Sequence, residues 1–365
     1  MLYQKIINKT MSLRNAKRII TNAYYAYRSA PYAGYPFKIQ FENTNVCNIR
    51  CIMCPQATGF KRKQGFLRFD NFRRVFDEVQ PAYLNLTGIG EPFLNTDIYE
   101  IVSHASKQGV YIKLDTNATL FNSSNLQKMF EAAPSIMSVS LDGTTKEVYE
   151  KIRVGANFER VIDNIKLAVR IKKEMKAETE IHLFMVVQKE NYAQLLDFIK
   201  LGDDLGADSA NGTFVVELGT NSNEENSLLK VQARNMVEDV KKYIASNNIK
   251  IDINNLLDYL NSPSKHSYNT DSPCFWPWYA PFITWDGYVS PCCFFSDKEI
   301  VFGNAFEEPF IKVFNSPVAR AFRKQLVAKR VGKCATCGVN EKYLADKFRP
   351  LAKLPIIGNL THRKY

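Results

Sequence analysis

Three cysteines in one short stretch, TNVCNIRCIMCPQ, constrain this chain more than any other feature, because its fold must bring Cys47, Cys51 and Cys54 to one point. The spacing Cys47-x3-Cys51-x2-Cys54 puts three thiolates on a single loop. On a four-iron cube, three thiolates leave one iron without a protein ligand. That iron can bind a second molecule, whereas four thiolates make an electron carrier. The other five cysteines, Cys274, Cys292, Cys293, Cys334 and Cys337, form a second group towards the C-terminus. A structural zinc site built on two knuckles, Cys51 with Cys54 and Cys334 with Cys337, leaves Cys47 without a task. A disulfide framework suits small secreted domains, whereas 365 residues can bury a large core and show no secretory signal. The thiols are expected in reducing cytoplasm.

With 45 % hydrophobic and 23 % charged residues the chain is neither disordered nor membrane-spanning in composition, and its length fits two domains. The net charge of +11 suggests nucleic acid until it is located: residues 1–36 carry +6, residues 342–365 carry +5, and the body between them is neutral. No basic stripe crosses that body, so no nucleic-acid partner is expected. In SLRNAKRIITNAYYAYR, Leu13, Ala16, Ile19, Ile20, Ala23, Tyr24 and Tyr27 fall on one helical face, opposite Arg14, Lys17, Arg18 and Arg28. Such a helix either docks on its own domain or makes peripheral contact with the inner face of an anionic membrane.

From Phe37 the chain alternates short β-branched or aromatic runs with longer amphipathic ones, the pattern of βα units around a parallel sheet. Six strands are expected, at 37–42, 83–87, 110–116, 136–142, 180–187 and 213–218. Between the fourth and fifth, Phe158, Val161, Ile162, Ile165 and Val169 recur at helical spacing and read as packing. The polar motifs share one register. The cysteine loop follows the first strand, GIGEP the second, Thr116 and Asn117 end the third, Ser140 and Asp142 the fourth, and Gln188 the fifth. Strand C-termini form the active-site rim of βα barrels, so these signals converge on one pocket.

Together these residues resemble the radical S-adenosylmethionine superfamily. The likeness rests on Cys47-x3-Cys51-x2-Cys54, GIGEP from Gly88 to Pro92, DTNATL from Asp115 to Leu120, and SVSLDG from Ser138 to Gly143 followed by Arg153. It implies an α/β fold, a partial (β/α)6 TIM-like barrel. A [4Fe-4S] cluster on the three cysteines would have its free iron chelated by the amino and carboxylate groups of S-adenosylmethionine. It also implies that Met53 lies against the adenine, that the Gly90 and Glu91 region receives the methionine amino group, that Ser140 and Arg153 hold its carboxylate, and that Asn117 or Asp142 approaches the ribose. A charged amino-acid moiety leaving water needs such partners. Two departures stand out: Ile89 occupies a place where many members have Gly, and Ala118 follows Thr116-Asn117 where Gly is usual.

The second cysteine group resembles the SPASM/twitch auxiliary domain, in which a cysteine is followed by a hairpin Gly and then Gly-x4-Cys. Asp286-Gly287 between aromatic-rich runs signals the hairpin, and Gly287 to Cys292 supplies the motif. Neighbouring strand residues point to opposite faces, so Cys292 and Cys293 are not expected to serve one centre. Cys293 is left as a packed thiol or alternative ligand. Five cysteines are fewer than two auxiliary clusters need by family pattern. One auxiliary [4Fe-4S] cluster is therefore expected, on Cys274, Cys292, Cys334 and Cys337, with a zinc knuckle on the same four as the alternative.

The implied organisation is a basic extension (1–36), the barrel core (37–218), a helical bridge (219–265), the auxiliary domain (266–345) and a basic tail (346–365). The resemblance implies an enzyme that cleaves S-adenosylmethionine reductively to a 5′-deoxyadenosyl radical and takes hydrogen from a substrate carbon. Net oxidation through the auxiliary cluster and a flavodoxin- or ferredoxin-type electron donor complete the scheme. No separate peptide-recognition module is visible, so a small polar metabolite such as a sugar or aminocyclitol is the expected substrate. The alternatives are peptide or protein side-chain maturation, a lipid-linked substrate at a membrane surface, and a non-enzymatic iron–sulfur electron carrier.

Overall fold

The structure is a computed structural model that describes residues 10, 12–28, 30–57, 59–214, 236, 238–247, 249, 251–254, 274–328 and 334. Cys337, most of the expected bridge and all of the basic tail lie outside the described residues. Helix α1 (Leu13–Tyr27) leads into β1 (Lys38–Phe41). There follow β2 (Arg50–Cys51), α2 (Phe69–Val79), β3 (Tyr83–Leu86), α3 (Ile98–Lys107), β4 (Tyr111–Thr116), α4 (Ser123–Ala132) and β5 (Ile136–Ser140). The barrel continues through α5 (Lys146–Ile152), β6 (Arg153–Val154), α6 (Phe158–Met175), β7 (Glu180–Val187), α7 (Leu195–Leu205) and β8 (Ser209–Phe214). Strands β1, β3, β4, β5, β7 and β8 lie side by side in that order, all parallel, while β2 and β6 form a separate antiparallel ribbon. These six parallel βα units are the expected partial barrel.

Parallel strands covered on both faces usually read as continuous apolar runs. Here the strands alternate. Ile39, Leu84, Ile112, Leu114, Val139, Leu183 and Val187 point to the helices and are sealed from solvent, at 1 % exposure or less. Gln40, Asn85, Lys113, Asp115, Ser138, Ser140, His182 and Asn211 have the opposite parity and line the concave side. Lys113, Asp115, Ser140, Phe184 and Val186 remain half-buried in mid-sheet, so the polar interior is open. The Lys113 ammonium meets Asp115 at 2.7 Å. On the outer layer, Val161, Ile165 and Val169 of α6 are buried as their spacing predicts.

The sixth strand differs from expectation. It begins four residues earlier, its described part spans Ser209–Phe214 and pairs with β7 from His182↔Ser209 to Val187↔Phe214, and the expected residues 215–218 lie outside the described residues. SANG has little intrinsic strand preference, and the exposed edge of β7 overrides it.

The auxiliary region adds α8 (Trp276–Tyr279), β9 (Phe282–Ile283), β10 (Tyr288–Ser290), β11 (Gly303–Asn304), α9 (Phe310–Phe314) and α10 (Pro317–Val327). Its first strand, β9, pairs in parallel with β1, and β10 and β11 follow antiparallel, so the hairpin continues the barrel sheet. Gly287 closes that hairpin at φ +91°, where a Cβ would lie 2.3 Å from Asn304 Oδ1 and 2.6 Å from the Phe306 ring. Glycine is required there twice over.

Helix α1 docks on its own domain. Arg18 donates to the carbonyls of Val79 and Gln80, satisfying the open C-terminus of α2, and Asn22 Nδ2 donates to Tyr35 O at 2.9 Å. One face of α1 packs against α8. Among the described residues no helix is long and apolar enough to cross a membrane.

Candidate active site

The cysteine loop is shaped by backbone. Cys51 in β2 stands directly across from Arg153 in β6, so the ribbon carries a guanidinium to the centre of the thiol group. Cys54 raises both Cys47 and Cys51 electrostatically and Cys47 raises Cys51, with Arg153 acting in the opposite direction at all three. Burial pushes all three up, Cys51 to about 11, so loading a thiolate-bound centre must release protons. Backbone N–H groups of Ile49 and Gln56 already point at Cys47 and Cys54, and Asn117 Nδ2 lies 3.8 Å from Cys47 Sγ. Amide donors and a buried cation around thiolates match an anionic iron–sulfur cluster, whose potential such groups set. Among the described residues no group of three or more His, Cys, Asp or Glu side chains could hold a single metal ion.

The structure places the remaining expected contacts unevenly. Met53 is half-buried in the turn between Cys51 and Cys54. Gly90 lies so close to the first-strand loop that a Cβ would come within 2.5 Å of Val46 O and 2.6 Å of Thr44 O. Its N–H donates to Thr44 O at 3.1 Å, and that of Glu91 to Val46 O at 2.8 Å. Glu91 is 2 % exposed, and its carboxylate accepts from Thr116 Oγ1 and Asn117 N, each at 2.7 Å, and from Phe93 N at 3.2 Å. It therefore clamps the GIGEP loop to the end of β4. Burial lifts the carboxyl to about 7 against those three donors.

Asn117 is committed to the cysteine loop. Its Nδ2 donates to Asn48 Oδ1 at 3.0 Å, and its Oδ1 accepts from Thr119 N and Oγ1. Asp142 is fully buried; Oδ2 accepts from Arg153 Nε at 2.6 Å and Oδ1 from Val186 N at 2.7 Å. Both of its oxygens bond to the protein, and it is the counter-ion of Arg153. Arg153 is 8 % exposed, far from the surface position usual for an arginine in a helix-rich segment. Ser140 is half-buried at the end of β5 with its side chain on the concave parity.

The auxiliary cysteines correct one expectation. Strand β10 ends at Ser290, and Cys292 is the cap of a 3-10 turn over Cys293–Phe295, so strand alternation does not separate the two thiols. Cys293, Cys274 and Cys334 all act on Cys292, which burial pushes well up, and the Phe294 N–H points at its sulfur. Four thiols thus gather here. Cys337 lies outside the described residues.

Sequence reasoning missed a junction beneath the cysteine loop. Glu42, fully buried, accepts from Arg62 Nη1 at 2.8 Å, Arg62 Nη2 at 2.6 Å and the Trp285 backbone N–H at 3.2 Å. The available signal was parity: Lys38, Gln40 and Glu42 alternate with apolar residues in a strand due to be buried on both faces.

Comparison with known proteins agrees with this geometry. The Radical SAM superfamily profile matches residues 42–202, and the SPASM profile, an iron-sulfur cluster-binding domain, matches 274–338. The mycofactocin maturase MftC of Mycobacterium ulcerans is 30 % identical over 177 residues, 47 % of this chain and 46 % of that protein. The PqqA peptide cyclase of Bradyrhizobium diazoefficiens is 27 % identical over 178 residues, 48 % and 45 %. The chain thus matches about half the length of those two relatives. An AdoMet-dependent heme synthase of Methanosarcina barkeri is 25 % identical over 321 residues, 83 % of this chain and 88 % of that protein. The fold superposes on Streptococcus suis SuiB bound to S-adenosylmethionine with a TM-score of 0.62 at 16 % identity, covering 79 % of this chain and 68 % of that one. The chain carries a radical SAM domain followed by a C-terminal SPASM domain, a pair that implies S-adenosylmethionine and [4Fe-4S] clusters as its cofactors.

Proposed function

We propose that this enzyme takes a hydrogen atom from a side chain of a peptide substrate held in the open barrel interior, and that the auxiliary cluster accepts the second electron. The observation carrying this reading is the half-buried polar wall of Lys113, Asp115 and Ser140 on the concave side of the sheet. The loaded cluster and S-adenosylmethionine supply a 5′-deoxyadenosyl radical. The chain's own residues do the rest. Arg153, held rigid by Asp142, keeps Nη1 for a carboxylate. Gly90 brings its loop against 44–46, and Glu91 fixes the rim to which Asn117 and Cys47 belong. Met53 is positioned beside Cys54 to cover an adenine face.

A peptide is preferred to the sugar or aminocyclitol expected from the sequence because PqqA peptide cyclase is among the relatives. The heme synthase relative, which matches most of the chain, favours a second reading in which the substrate is a tetrapyrrole of heme synthesis. Anaerobic reconstitution, followed by dithionite and S-adenosylmethionine, should yield 5′-deoxyadenosine. No cleavage by a cluster-replete protein would sink the enzyme reading. Deuterated peptides and a deuterated tetrapyrrole then separate the two substrates, since the true one delivers its label into that product.

A further inference from the structure

Glu42 sits where three parts of the molecule meet. It follows β1 and opens the run Glu42-Asn43-Thr44-Asn45-Val46 that ends at Cys47. Arg62, from the segment after the third cysteine, grips it with both terminal nitrogens, and the ion pair is nearly sealed, with side chains 6 % and 0 % exposed. Trp285, from the turn between β9 and β10, donates its backbone N–H to the same carboxylate, while the Glu42 N–H donates to Ile283 O at 2.8 Å.

The post-cysteine segment is pinned along the same seam. Thr44 Oγ1 donates to Gly65 O at 2.7 Å, Asn45 Nδ2 to Lys63 O at 2.9 Å, and Gln56 Nε2 to both Asn45 O and Ile89 O. Trp285 lies flat against this segment, so that a Cβ on Gly65 would fall 2.3 Å from its ring. Two more buried donors, Arg62 Nε and Trp285 Nε1, have no acceptor. Donors therefore outnumber acceptors at this seam, and the Glu42 carboxylate accepts three of them.

From this arrangement we propose that Glu42 is a positioning residue that sets the separation of the two cluster sites by locking the auxiliary hairpin to the strand that leads into the cysteine loop. This rests on the reading that both sites carry iron–sulfur clusters. Glu42 touches neither group of cysteines in the described contacts, so it acts through the seam and not as a ligand. An arginine gripped end-on by one carboxylate has a fixed direction, which a looser contact would not impose.

The test uses the full chain, reconstituted and reduced with dithionite, with iron content measured beside pulsed electron paramagnetic resonance of the coupling between the clusters. The unaltered protein should hold about eight irons and show one narrow inter-cluster distance. Glu42→Gln should keep that iron and lose the narrow distance. Because Gln leaves Arg62 buried without a counter-ion, the double variant Glu42→Leu/Arg62→Met supplies the second arm, removing both charges at similar volume. It too should retain iron and broaden the distance. Either variant holding full iron with a distance distribution superimposable on the unaltered protein would overturn the proposal. Four irons in the unaltered protein would overturn the two-cluster reading and the proposal with it, a result distinct from unchanged coupling.

Discussion

At the scale of single residues, the motifs were readable and the partners were not. GIGEP and TN could be placed on strand ends from sequence, yet only the structure shows that Glu91 joins them to each other. A carboxylate that accepts three protein donors is indistinguishable in sequence from one that faces a ligand. Asp142 and Arg153 repeat the lesson, since a buried ion pair across eleven residues leaves no local pattern. Ala118 was legible as a departure, and its φ of +57° explains why the family prefers glycine there. Glu91 also yields a pH dependence. Its carboxyl rises from 4.5 to about 7 on folding, so between those values the folded state binds more protons than the unfolded chain. Its contribution to stability is fully present below pH 4.5 and is lost as pH rises through 7. The shift corresponds to about 3 kcal/mol. Urea unfolding of the cluster-free protein at pH 4.5 and 7.5 should show a fall larger by that amount than in Glu91→Gln, whose amide does not titrate. Equal slopes in the two proteins would show that Glu91 ionises freely.

At the scale of elements, a single local device recurs at both ends of the chain. Cys47, Cys54 and Cys292 each have the amide N–H two residues on, from Ile49, Gln56 and Phe294, directed at their sulfur. The two outer cysteines of the triplet and the first after the hairpin are thus presented by the same kind of turn, and in a turn adjacent side chains need not diverge. The reasoning that set Cys292 against Cys293 loses its premise here, because strand alternation was applied beyond Ser290, where the strand has ended. The sixth strand starts earlier than expected for the complementary reason, because Ser209 to Gly212 are recruited by the edge of β7 and not by their own preference. Gly90 belongs to this scale too. A methyl group there must displace the carbonyls of Thr44 and Val46, which are backbone and cannot swing aside. Gly90→Ala should therefore disorder the cysteine loop while leaving the auxiliary turn untouched. Iron content is expected to fall from about eight to about four, with the auxiliary signal surviving in the spectrum. Retention of both signals would show that the loop tolerates the wedge.

At the scale of the whole molecule, one sheet is shared between the barrel and the auxiliary part. The hairpin continues the barrel at β1, and the segment before β1 is itself held by the auxiliary part: Asn315 pairs through both side-chain atoms with the backbone of Ala33, and Trp278 Nε1 donates to Ala30 O at 2.9 Å. Arg323 is the densest of these ties. Fully buried and without an ion-pair partner among the described residues, it donates to Pro31 O at 3.0 Å, Pro277 O at 2.9 Å and Phe314 O at 2.8 Å, over the Phe314 ring. Those carbonyls come from three distant stretches of chain that no sequence pattern links. Arg323→Met keeps the apolar packing and removes all three bonds, leaving buried carbonyls unpaired at a combined cost of about 3–5 kcal/mol. If the two parts were independent, that loss would appear as an early transition confined to the auxiliary region. The shared sheet requires a different result. Urea unfolding of the cluster-free variant, followed by tryptophan fluorescence and far-ultraviolet circular dichroism, should give coincident curves displaced together to lower denaturant. All three tryptophans, Trp276, Trp278 and Trp285, lie in the auxiliary part, while most helix and strand lies in the barrel, so coincidence of the two probes measures whether they unfold as one body.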